Sequence, residues 1–538
     1  MMPYLHAFRR MTCDMSKGLS LIALLMGAGN ALADVTPFSQ SVAISAAVDD
    51  DIAAIYAARN YAPIWTTEDA SAHRAALFSV LADAVDHGLP AARYDAAALT
   101  QSLQTATTEG DRGRVEVGMT RALVAYMHDM EMGVVTPKSV DATIVIERVA
   151  FDAAAMVAAF LAAPSPERFL RDLAPEAPEY ALLMRERLRL QALIAAGGWG
   201  APVAADKLAP GDTGASVVAL RDRLVAMGYL RRSVKASYDA DMQRAVQRFQ
   251  LSHGLEADGV AGASTINAVN VPADERLQSV LVAMERMRWI GDAPRGDRHI
   301  WVNLPDFTAK IIDHGRVTFS TRAVIGKDED GRHTPEFSDV MEFMVVNPSW
   351  SVPRSITVKE YLPLLQRNRN AVGHLNVIDR NGKVVPRGNV NFAAYNERTF
   401  PYALRQAPSD GNALGQVKFM FPNEYNIYLH DTPAKDLFAQ EVRAYSHGCV
   451  RLGSPIDFAH ALLAVQSDDP DGEFDRALRS GNETPITLQQ PLPVHLVYFT
   501  AWPESRGQMG YRRDVYGRDA GIWRALNAAG VELSGGQG

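Results

Sequence analysis

The spacing of hydrophobic residues divides the chain into a helical half and a strand-rich half. Across residues 34–200 apolar side chains recur at helical spacing, mostly three or four residues apart, so that they fall on one face of a helix. One such face carries Leu77, Val80, Leu81 and Val85. Aromatic residues expected to pack between these helices are Tyr56, Tyr61, Trp65 and Tyr94. The pattern predicts a helical scaffold domain over residues 34–200.

A small-residue linker at residues 195–202 separates this scaffold from a compact unit at residues 207–271. Three short helices are predicted there, with glycine-bearing turns between them and one small shared core. Their apolar positions are Val217, Leu220, Leu224 and Met227, then Met242, Ala245, Val246 and Phe249, then Thr265 and Val269. One more amphipathic helix follows at residues 274–290, and it is expected to pack back on the scaffold.

From residue 295 the pattern favours β-strands separated by Gly, Asp and Pro turns. The predicted strands lie at residues 300–303, 308–312, 317–324, 343–346, 427–429 and 494–499. Residues 356–413 interrupt them with a Leu-rich helix and a polar, Asn/Gly-rich stretch, which we interpret as a mobile cap inserted over the β-domain. The fold class is therefore multidomain α+β, with a mostly-β domain at 295–505 and a C-terminal tail at 506–538.

Residues 1–33 have the features of a secretory signal. Arg9, Arg10 and Lys17 precede a short apolar stretch that ends in the A-x-A pattern of residues 31–33. The stretch is short for a membrane span, although an uncleaved anchor is the alternative. The segment predicts export, and with the resemblance described below it predicts a periplasmic protein.

Charge and cysteine content narrow the function classes. The chain has 538 residues and a formal net charge of -8, which argues against a nucleic-acid binder, whose footprint would be basic. Of its two cysteines, Cys13 lies in the predicted signal, so the exported protein keeps Cys449 alone. A single thiol is either an inert buried residue or a reactive group.

The residues around this cysteine favour the reactive reading. A thiol near neutral pH needs a neighbouring base or cation to act as a nucleophile. His447 lies two residues before Cys449, and His430 ends a predicted strand nineteen residues before it. These residues predict a cysteine–histidine nucleophile and base pair. Gly448 and the amides around Cys449 are candidate oxyanion donors, and Arg451 is a candidate partner for a substrate carboxylate.

The segment Ser446-His447-Gly448-Cys449-Val450-Arg451, with His430 upstream, resembles the signature of L,D-transpeptidases with a YkuD-type catalytic domain. Residues 347–353, 418–423 and 427–433 resemble the large periplasmic YcbB-type branch of that family. Residues 207–271 resemble a three-helix peptidoglycan-binding domain, in Tyr238 and residues 245–250 above all. Arg451 departs from the wider family, where many members carry Asn.

The resemblance implies a reaction and a set of site residues. Cys449 would attack the bond between the third stem residue and the terminal D-Ala, form a thioester, and pass the acyl group to a second stem as a 3→3 cross-link. His430 would act as the base. Residues implied to line the site are His447, Ser446, Gly448, Tyr428, Arg451 and Trp350, while core packing is the stronger interpretation for Phe421. No cofactor or metal is implied, and carbapenems are expected to acylate Cys449.

Other functions fit parts of the same pattern. His430, Asp431, His447 and Cys449 are all residue types that bind zinc, so a zinc peptidase is a second enzyme class, although no H-E-x-x-H spacing occurs. A catalytically silent wall-binding scaffold is a different class. The same cysteine chemistry with water or a protein lysine as acceptor would give an L,D-carboxypeptidase or a protein-anchoring transferase. Other cell-wall synthesis proteins are candidate partners, and no nucleic acid is expected.

Overall fold

The computed structural model describes residues 36–504 and 508–533. The export signal expected at residues 1–33 lies outside the described residues. Within the two described ranges, no helix combines the length and the apolar character needed to cross a membrane.

The N-terminal region is helical, as the sequence pattern predicts. Its helices are α1 (Pro37–Ala46), α2 (Asp50–Ala58), α3 (Ser71–Ala82), α4 (Ala91–Tyr94), α5 (Ala96–Thr105), α6 (Glu109–Met132), α7 (Pro137–Val140), α8 (Ala153–Ala162), α9 (Pro166–Arg171) and α10 (Pro178–Ala195). Tyr56, Trp65 and Tyr94 are buried in their shared core. The prediction that Val85 continues the helical face of Leu77, Val80 and Leu81 is wrong, because α3 ends at Ala82. Val85 lies instead in a 3₁₀ turn ahead of Gly88, whose φ is +68°.

Three helices follow around a small core of their own, at α11 (Ala215–Ala226), α12 (Ala240–Ser252) and α13 (Ala263–Asn270). Asp239 caps α12 by accepting the backbone N–H groups of Asp241 and Met242. The unit is held to the rest of the chain by Arg512, which donates to the Ser252 carbonyl at 2.5 Å and pairs with Asp306 at 2.5 Å.

The linking helix α14 (Ala273–Ile290) packs against the N-terminal region, and most of its residues are buried. Glu285 accepts the backbone N–H of Val135 at 2.8 Å, and Arg288 donates to the His87 carbonyl at 2.8 Å. These contacts place the helical scaffold directly beside the strand-rich half.

The strand-rich half contains fifteen strands within the described residues. They are β1 (Arg298–Asn303), β2 (Thr308–Asp313), β3 (Arg316–Gly326), β4 (Phe337–Val346), β5 (Trp350–Ser351), β6 (Leu375–Ile378), β7 (Val384–Val385), β8 (Ala403–Gln406), β9 (Val417–Met420), β10 (Leu429–His430), β11 (Ala444–Ser446), β12 (Val450–Leu452), β13 (Thr484–Val497), β14 (Ala501–Pro503) and β15 (Met509–Tyr511).

Nine of these strands form the main sheet, in the order β11-β3-β12-β10-β9-β4-β13-β1-β2. Because β2 also pairs with β3, eight strands close into a barrel and β11 stays as an extra strand on β3. The strand predicted at residues 427–429 begins two residues later, at Leu429. It pairs in parallel with β12, which places His430 opposite Arg451.

The insertion forms a second sheet rather than helix and loop alone. It comprises α15 (Arg354–Ile356), a π-helical turn (Thr357–Tyr361), α16 (Leu362–Arg367) and a four-stranded sheet in the order β5-β8-β6-β7. Its own small core includes Leu362, Leu375 and Leu404. The sequence pattern missed these strands because they are only two to four residues long.

Three further helices complete the chain, at α17 (Pro455–Leu463), α18 (Pro470–Arg479) and α19 (Arg518–Ala528). The last lies in the segment expected to be a tail, yet its Ile522 and Leu526 are buried. Buried Glu336 pairs with Arg286 of α14 at 2.5 Å and with Arg518 of α19 at 3.1 Å. Removing one partner of such a buried network typically costs about 3–5 kcal/mol, so these ion pairs hold the units in one arrangement.

Candidate active site

Cys449 lies in a tight turn between β11 and β12 that its neighbours hold closed. The Ser446 hydroxyl donates to the Cys449 carbonyl at 2.5 Å and accepts the Gly448 N–H at 3.1 Å. Gly448 has a φ of +121°, and a Cβ there would approach Ile427 to 3.2 Å. Thr334 donates its hydroxyl to the Gly448 carbonyl at 2.7 Å, which ties the turn to the loop after β3.

The thiol of Cys449 is half-buried beside Tyr428. Its Sγ lies 3.6 Å from the Asn426 carbonyl oxygen, which can accept the thiol proton in a hydrogen bond. Tyr428 lowers the pKa of the thiol through its backbone N–H and its hydroxyl, and Trp350 acts in turn on the Tyr428 hydroxyl. Burial raises the pKa of the Cys449 thiol to about 11, although Tyr428 and Arg451 act in the opposite direction.

His430 is buried on the strand next to Cys449. Its Nδ1 donates to the Asp431 carbonyl at 2.5 Å. A carbonyl only accepts, so this bond fixes the proton on Nδ1 and leaves Nε2 as an unprotonated acceptor. Burial, with the Arg451 guanidinium second, lowers the pKa of His430 to about 3, so the ring is neutral near pH 7. Among the described residues no hydrogen bond joins His430 to Cys449 directly.

Arg451 links the two groups electrostatically. Its charge acts on the pKa of both Cys449 and His430, and it lies opposite His430 in the strand pairing. Its Nε is buried and, in the described part of the chain, has no hydrogen-bond acceptor. The half-buried guanidinium beside the thiol is suited to bind a carboxylate or carbonyl oxygen of a ligand through its terminal N–H groups.

His447 lies apart from this group, unlike the other residues expected around the thiol. Its Nε2 is 2.9 Å from a carboxylate oxygen of Glu360, which also pairs with Arg332 at 2.8 Å. Glu360 belongs to the π-helical turn of the insertion. The structure therefore joins His447 to the insertion rather than to Cys449.

Ser446 and Gly448 were expected to donate to an oxyanion, but both of their donor groups are used within the turn. The Ser446 hydroxyl is engaged by Cys449, and the Gly448 N–H by Ser446. The N–H of Cys449 itself has no acceptor among the described residues, so it is the backbone donor open to a ligand oxygen. Phe421 is buried in the barrel core, where packing was expected to place it.

Sequence reasoning missed four residues that shape the site. Asn426 and Thr334 contact the turn at residues 446–449, Glu360 contacts His447, and Arg332 contacts Glu360. None belongs to a recognisable motif, and Glu360 is separated from His447 by 87 positions. Asn426 has a positive φ, a backbone conformation that Asn tolerates better than most residues. Its residue type is therefore a weak hint that the sequence did contain.

A cavity of about 600 Å³ borders the catalytic turn at His447 and Gly448. Tyr516 and Arg524 of the C-terminal segment and residues 140–143 of the scaffold form other parts of its wall. Cys449, Tyr428 and Trp350 are not among its lining residues.

No group of three or more His, Cys, Asp or Glu side chains converges to hold a metal ion within the described residues. Of the four residues considered for zinc, Asp431 accepts the backbone N–H of Gln416 at 2.8 Å and pairs with Lys435 at 2.5 Å. His447 is bound to Glu360.

Three family models match successive parts of the chain. The first describes a "Scaffold domain" and matches residues 50–186. The second, "Putative peptidoglycan binding domain", matches residues 213–269. The third, "L,D-transpeptidase catalytic domain", matches residues 297–468. Together they confirm the helical region, the small binding domain and the mostly-β domain that the sequence pattern predicts.

The chain is also similar to a Haemophilus influenzae protein named "Putative L,D-transpeptidase". The two are 32% identical over 256 residues, which is 47% of this chain and 50% of the relative, so the chain spans about half the length of that protein. A solved L,D-transpeptidase from Xylanimonas cellulosilytica is matched at 17% identity, over 55% of this chain and 100% of that one. Its TM-score of 0.16 is too low to indicate a shared fold.

Proposed function

We propose that the protein forms 3→3 cross-links between stem peptides through Cys449. The proposal is supported by two family-model matches, an L,D-transpeptidase catalytic domain at residues 297–468 and a peptidoglycan-binding domain at residues 213–269. The donor is a tetrapeptide stem. The Cys449 sulfur attacks the carbonyl that joins the third residue, a diamino acid, to the terminal D-Ala. The C–N bond breaks, D-Ala leaves with the proton that the thiol gave up, and a thioester forms.

The second half-reaction restores the enzyme. The side-chain amine of the diamino acid on another stem attacks the thioester, an amide bond forms, and the sulfur leaves as the thiol after taking up the amine's proton. His430 carries the proton in both halves, since its Nε2 is an unprotonated acceptor at neutral pH. Exported, Gram-negative-type members of this branch make diaminopimelate the expected diamino acid.

One observation carries the proposal: Tyr428 and Arg451 both act on the Cys449 thiol, and His430 lies opposite Arg451 in the strand pairing and 5.5 Å from the Tyr428 ring. The thiol rests protonated, so attack needs a base, and the buried neutral histidine supplies one. The Cys449 N–H and the Tyr428 hydroxyl are the donors for the developing oxyanion. Arg451 binds a carboxylate or carbonyl of the donor stem.

We assign the acceptor stem to the cavity beside His447 and Gly448. A transpeptidase must hold two substrates at one thioester, and this cavity meets the catalytic turn without including the Trp350 and Tyr428 walls. Its exposed Arg524 has no ion pair with another described residue and suits a stem carboxylate. We also propose that the protein is exported to the periplasm and belongs to the YcbB-type branch of L,D-transpeptidases.

The decisive product analysis uses purified protein with a disaccharide-tetrapeptide, read by mass spectrometry. A cross-linked dimer that has lost one D-Ala supports the transpeptidase. Tripeptide alone indicates that water is the acceptor, and transfer to an added protein lysine indicates protein anchoring. Cys449→Ala is the control, and unchanged product from that variant would refute the thiol mechanism. Activity that a chelator abolishes would instead favour a zinc peptidase.

A further inference from the structure

A second cavity, of about 430 Å³, lies where three parts of the chain meet. Helix α10 forms one side, residues 226–229 and His253 of the three-helix unit form another, and residues 508–511 close it. Arg276 of α14 lies in its wall. The cavity shares no lining residue with the catalytic turn.

Arg276 is a buried cation without a buried counter-ion. It is 9% exposed, donates to the Ala268 carbonyl at 2.9 Å and stacks over the Tyr511 ring at 4.6 Å. Among the described residues no carboxylate lies within 4.0 Å of its guanidinium. Three other buried guanidiniums have buried partners, since Arg286 and Arg518 pair with Glu336 and Arg288 pairs with Glu285. Buried Arg223 also has no ion pair among the described residues, but its donors are used by three backbone carbonyls.

The unused N–H donors of Arg276 are open to the cavity space that this side chain lines. They are not among the sealed, unpaired polar atoms of the described residues, and Arg276 lines both this cavity and a neighbouring one of about 660 Å³ that His253 and Tyr511 also line. A buried guanidinium that keeps free donors pays a large desolvation cost, which an anionic ligand would recover. A planar carboxylate matches the guanidinium fork better than other anions of similar size.

The other residues that line the cavity also favour an anionic ligand. Arg185 and Arg189 are exposed at the rim, and Arg185 has no ion pair within the described chain. Glu186 is the acidic residue of the lining, and Arg189 and Tyr511 already engage it. Aromatic rings of Trp199 and Tyr229 offer apolar contact beside these charges. The cavity is thus cationic in a chain whose net charge is -8.

We propose that this cavity binds the free carboxylate end of a short peptide, with Arg276 holding the carboxylate and the aromatic rings contacting the last residue. Its volume suits two or three amino acids. Naming that peptide as a stem ending in D-Ala rests on the proposed function, because the peptidoglycan-binding domain supplies Tyr229 and His253 to the wall. A bound stem would then contact this domain and the scaffold together.

Binding is measured by calorimetry on Cys449→Ala protein, which cannot turn over, with a tetrapeptide and its C-terminal amide. We expect the amide to bind about tenfold more weakly, and the acid to bind about tenfold more weakly to Arg185→Ala/Arg189→Ala protein. Arg276→Lys should weaken binding while keeping the charge and the fold. Arg231→Ala/Arg232→Ala is the matched control, because it removes two exposed charges outside the cavity and should change affinity less than twofold.

A tetrapeptide carrying a diazirine locates the site directly. Photo-crosslinks to α10, residues 226–229 or residues 508–511 support the proposal. Crosslinks confined to residues 426–451, equal affinity for acid and amide, or equal losses in the two double variants would overturn it. Failure of the transpeptidase proposal would show instead in Cys449-dependent product formation, which this binding experiment does not use.

Discussion

At Cys449, burial and hydrogen bonding act in opposite directions on the thiol, and burial prevails. Its pKa of about 11 means that about 10⁻⁴ of the molecules carry a thiolate at pH 7, against about 3% for an ordinary cysteine. Many cysteine enzymes rest as a thiolate–imidazolium pair. Here His430, with its low pKa, and the protonated thiol rest as a neutral pair.

The pH dependence of alkylation tests this resting state. We expect the rate of Cys449 modification by iodoacetamide to rise about tenfold per pH unit from pH 6 to pH 10, without a plateau near neutrality. Tyr428→Phe should shift the curve to higher pH, because the hydroxyl lowers the pKa of the thiol. A plateau of fast alkylation at pH 6–7 would show a preformed thiolate and contradict the neutral pair.

Ser446 is the residue on which the geometry of the turn depends. It is 2% exposed, and Ser446→Ala would leave the Cys449 carbonyl and the Gly448 N–H without their partner. We expect the free energy of unfolding to fall by about 1–3 kcal/mol and kcat to drop more than KM changes. Ser446→Thr keeps the hydroxyl and should restore most of both. If Ser446→Ala were as active as the unsubstituted protein, the turn would keep its geometry without the Ser446 hydroxyl.

At the scale of elements, the insertion is tied to the catalytic turn by one carboxylate. Glu360 contacts both Arg332 and His447, and all three side chains are partly exposed. A cap held by so few polar contacts is suited to open and close, and a closed cap would shield the thioester from water. Its role as a gate over the donor stem stays a prediction.

Removing this tie should loosen the cap. In Glu360→Gln we expect faster hydrogen exchange across residues 356–413 and a larger share of tripeptide, the product of hydrolysis, relative to dimer. Glu397→Gln, an exposed change on the same insertion, is the matched control. In the unsubstituted protein, acylation of Cys449 by a carbapenem should slow exchange in the same segment. Exchange that neither change affects would show a rigid decoration instead of a cap.

The sequence could predict those parts of the fold whose pattern is local. The three-helix unit follows from apolar spacing around residues such as Val217 and Phe249, and the pairing of β10 with β12 follows the expected neighbourhood of His430 and Cys449. The insertion strands, at two to four residues, were too short to show a period. Contacts such as Glu360 to His447 depend on tertiary packing across many residues, which a single sequence does not encode in any spacing.

At the scale of the whole molecule, buried neutral groups make stability depend on pH. An unfolded histidine gains a proton below about pH 6.5, whereas folded His430 stays neutral until about pH 3. The unfolded state therefore binds more protons in this window, and the free energy of unfolding falls as the pH drops from 6.5 toward 3. Asp519, whose pKa burial raises to about 7, acts in the opposite direction.

Comparison with His430→Gln isolates the histidine, because Asp519 is present in both proteins. Denaturant unfolding between pH 6.5 and pH 4 should give a slope that is smaller in the variant by up to about 1.4 kcal/mol per pH unit. Parallel slopes would mean that His430 takes up its proton at the same pH in the folded and unfolded states. That result would contradict a buried ring held neutral by its surroundings.

The central claim is that Cys449 carries the acyl group of the donor stem. The most direct measurement is intact-protein mass spectrometry after brief mixing with a tetrapeptide whose diamino-acid amine is blocked, followed by peptide mapping. The account predicts one tripeptidyl group per chain, bound as a thioester to Cys449 and released by hydroxylamine, together with one equivalent of D-Ala. It predicts no adduct in Cys449→Ala. An adduct on another residue, or D-Ala release by the Cys449→Ala protein at the normal rate, would contradict it.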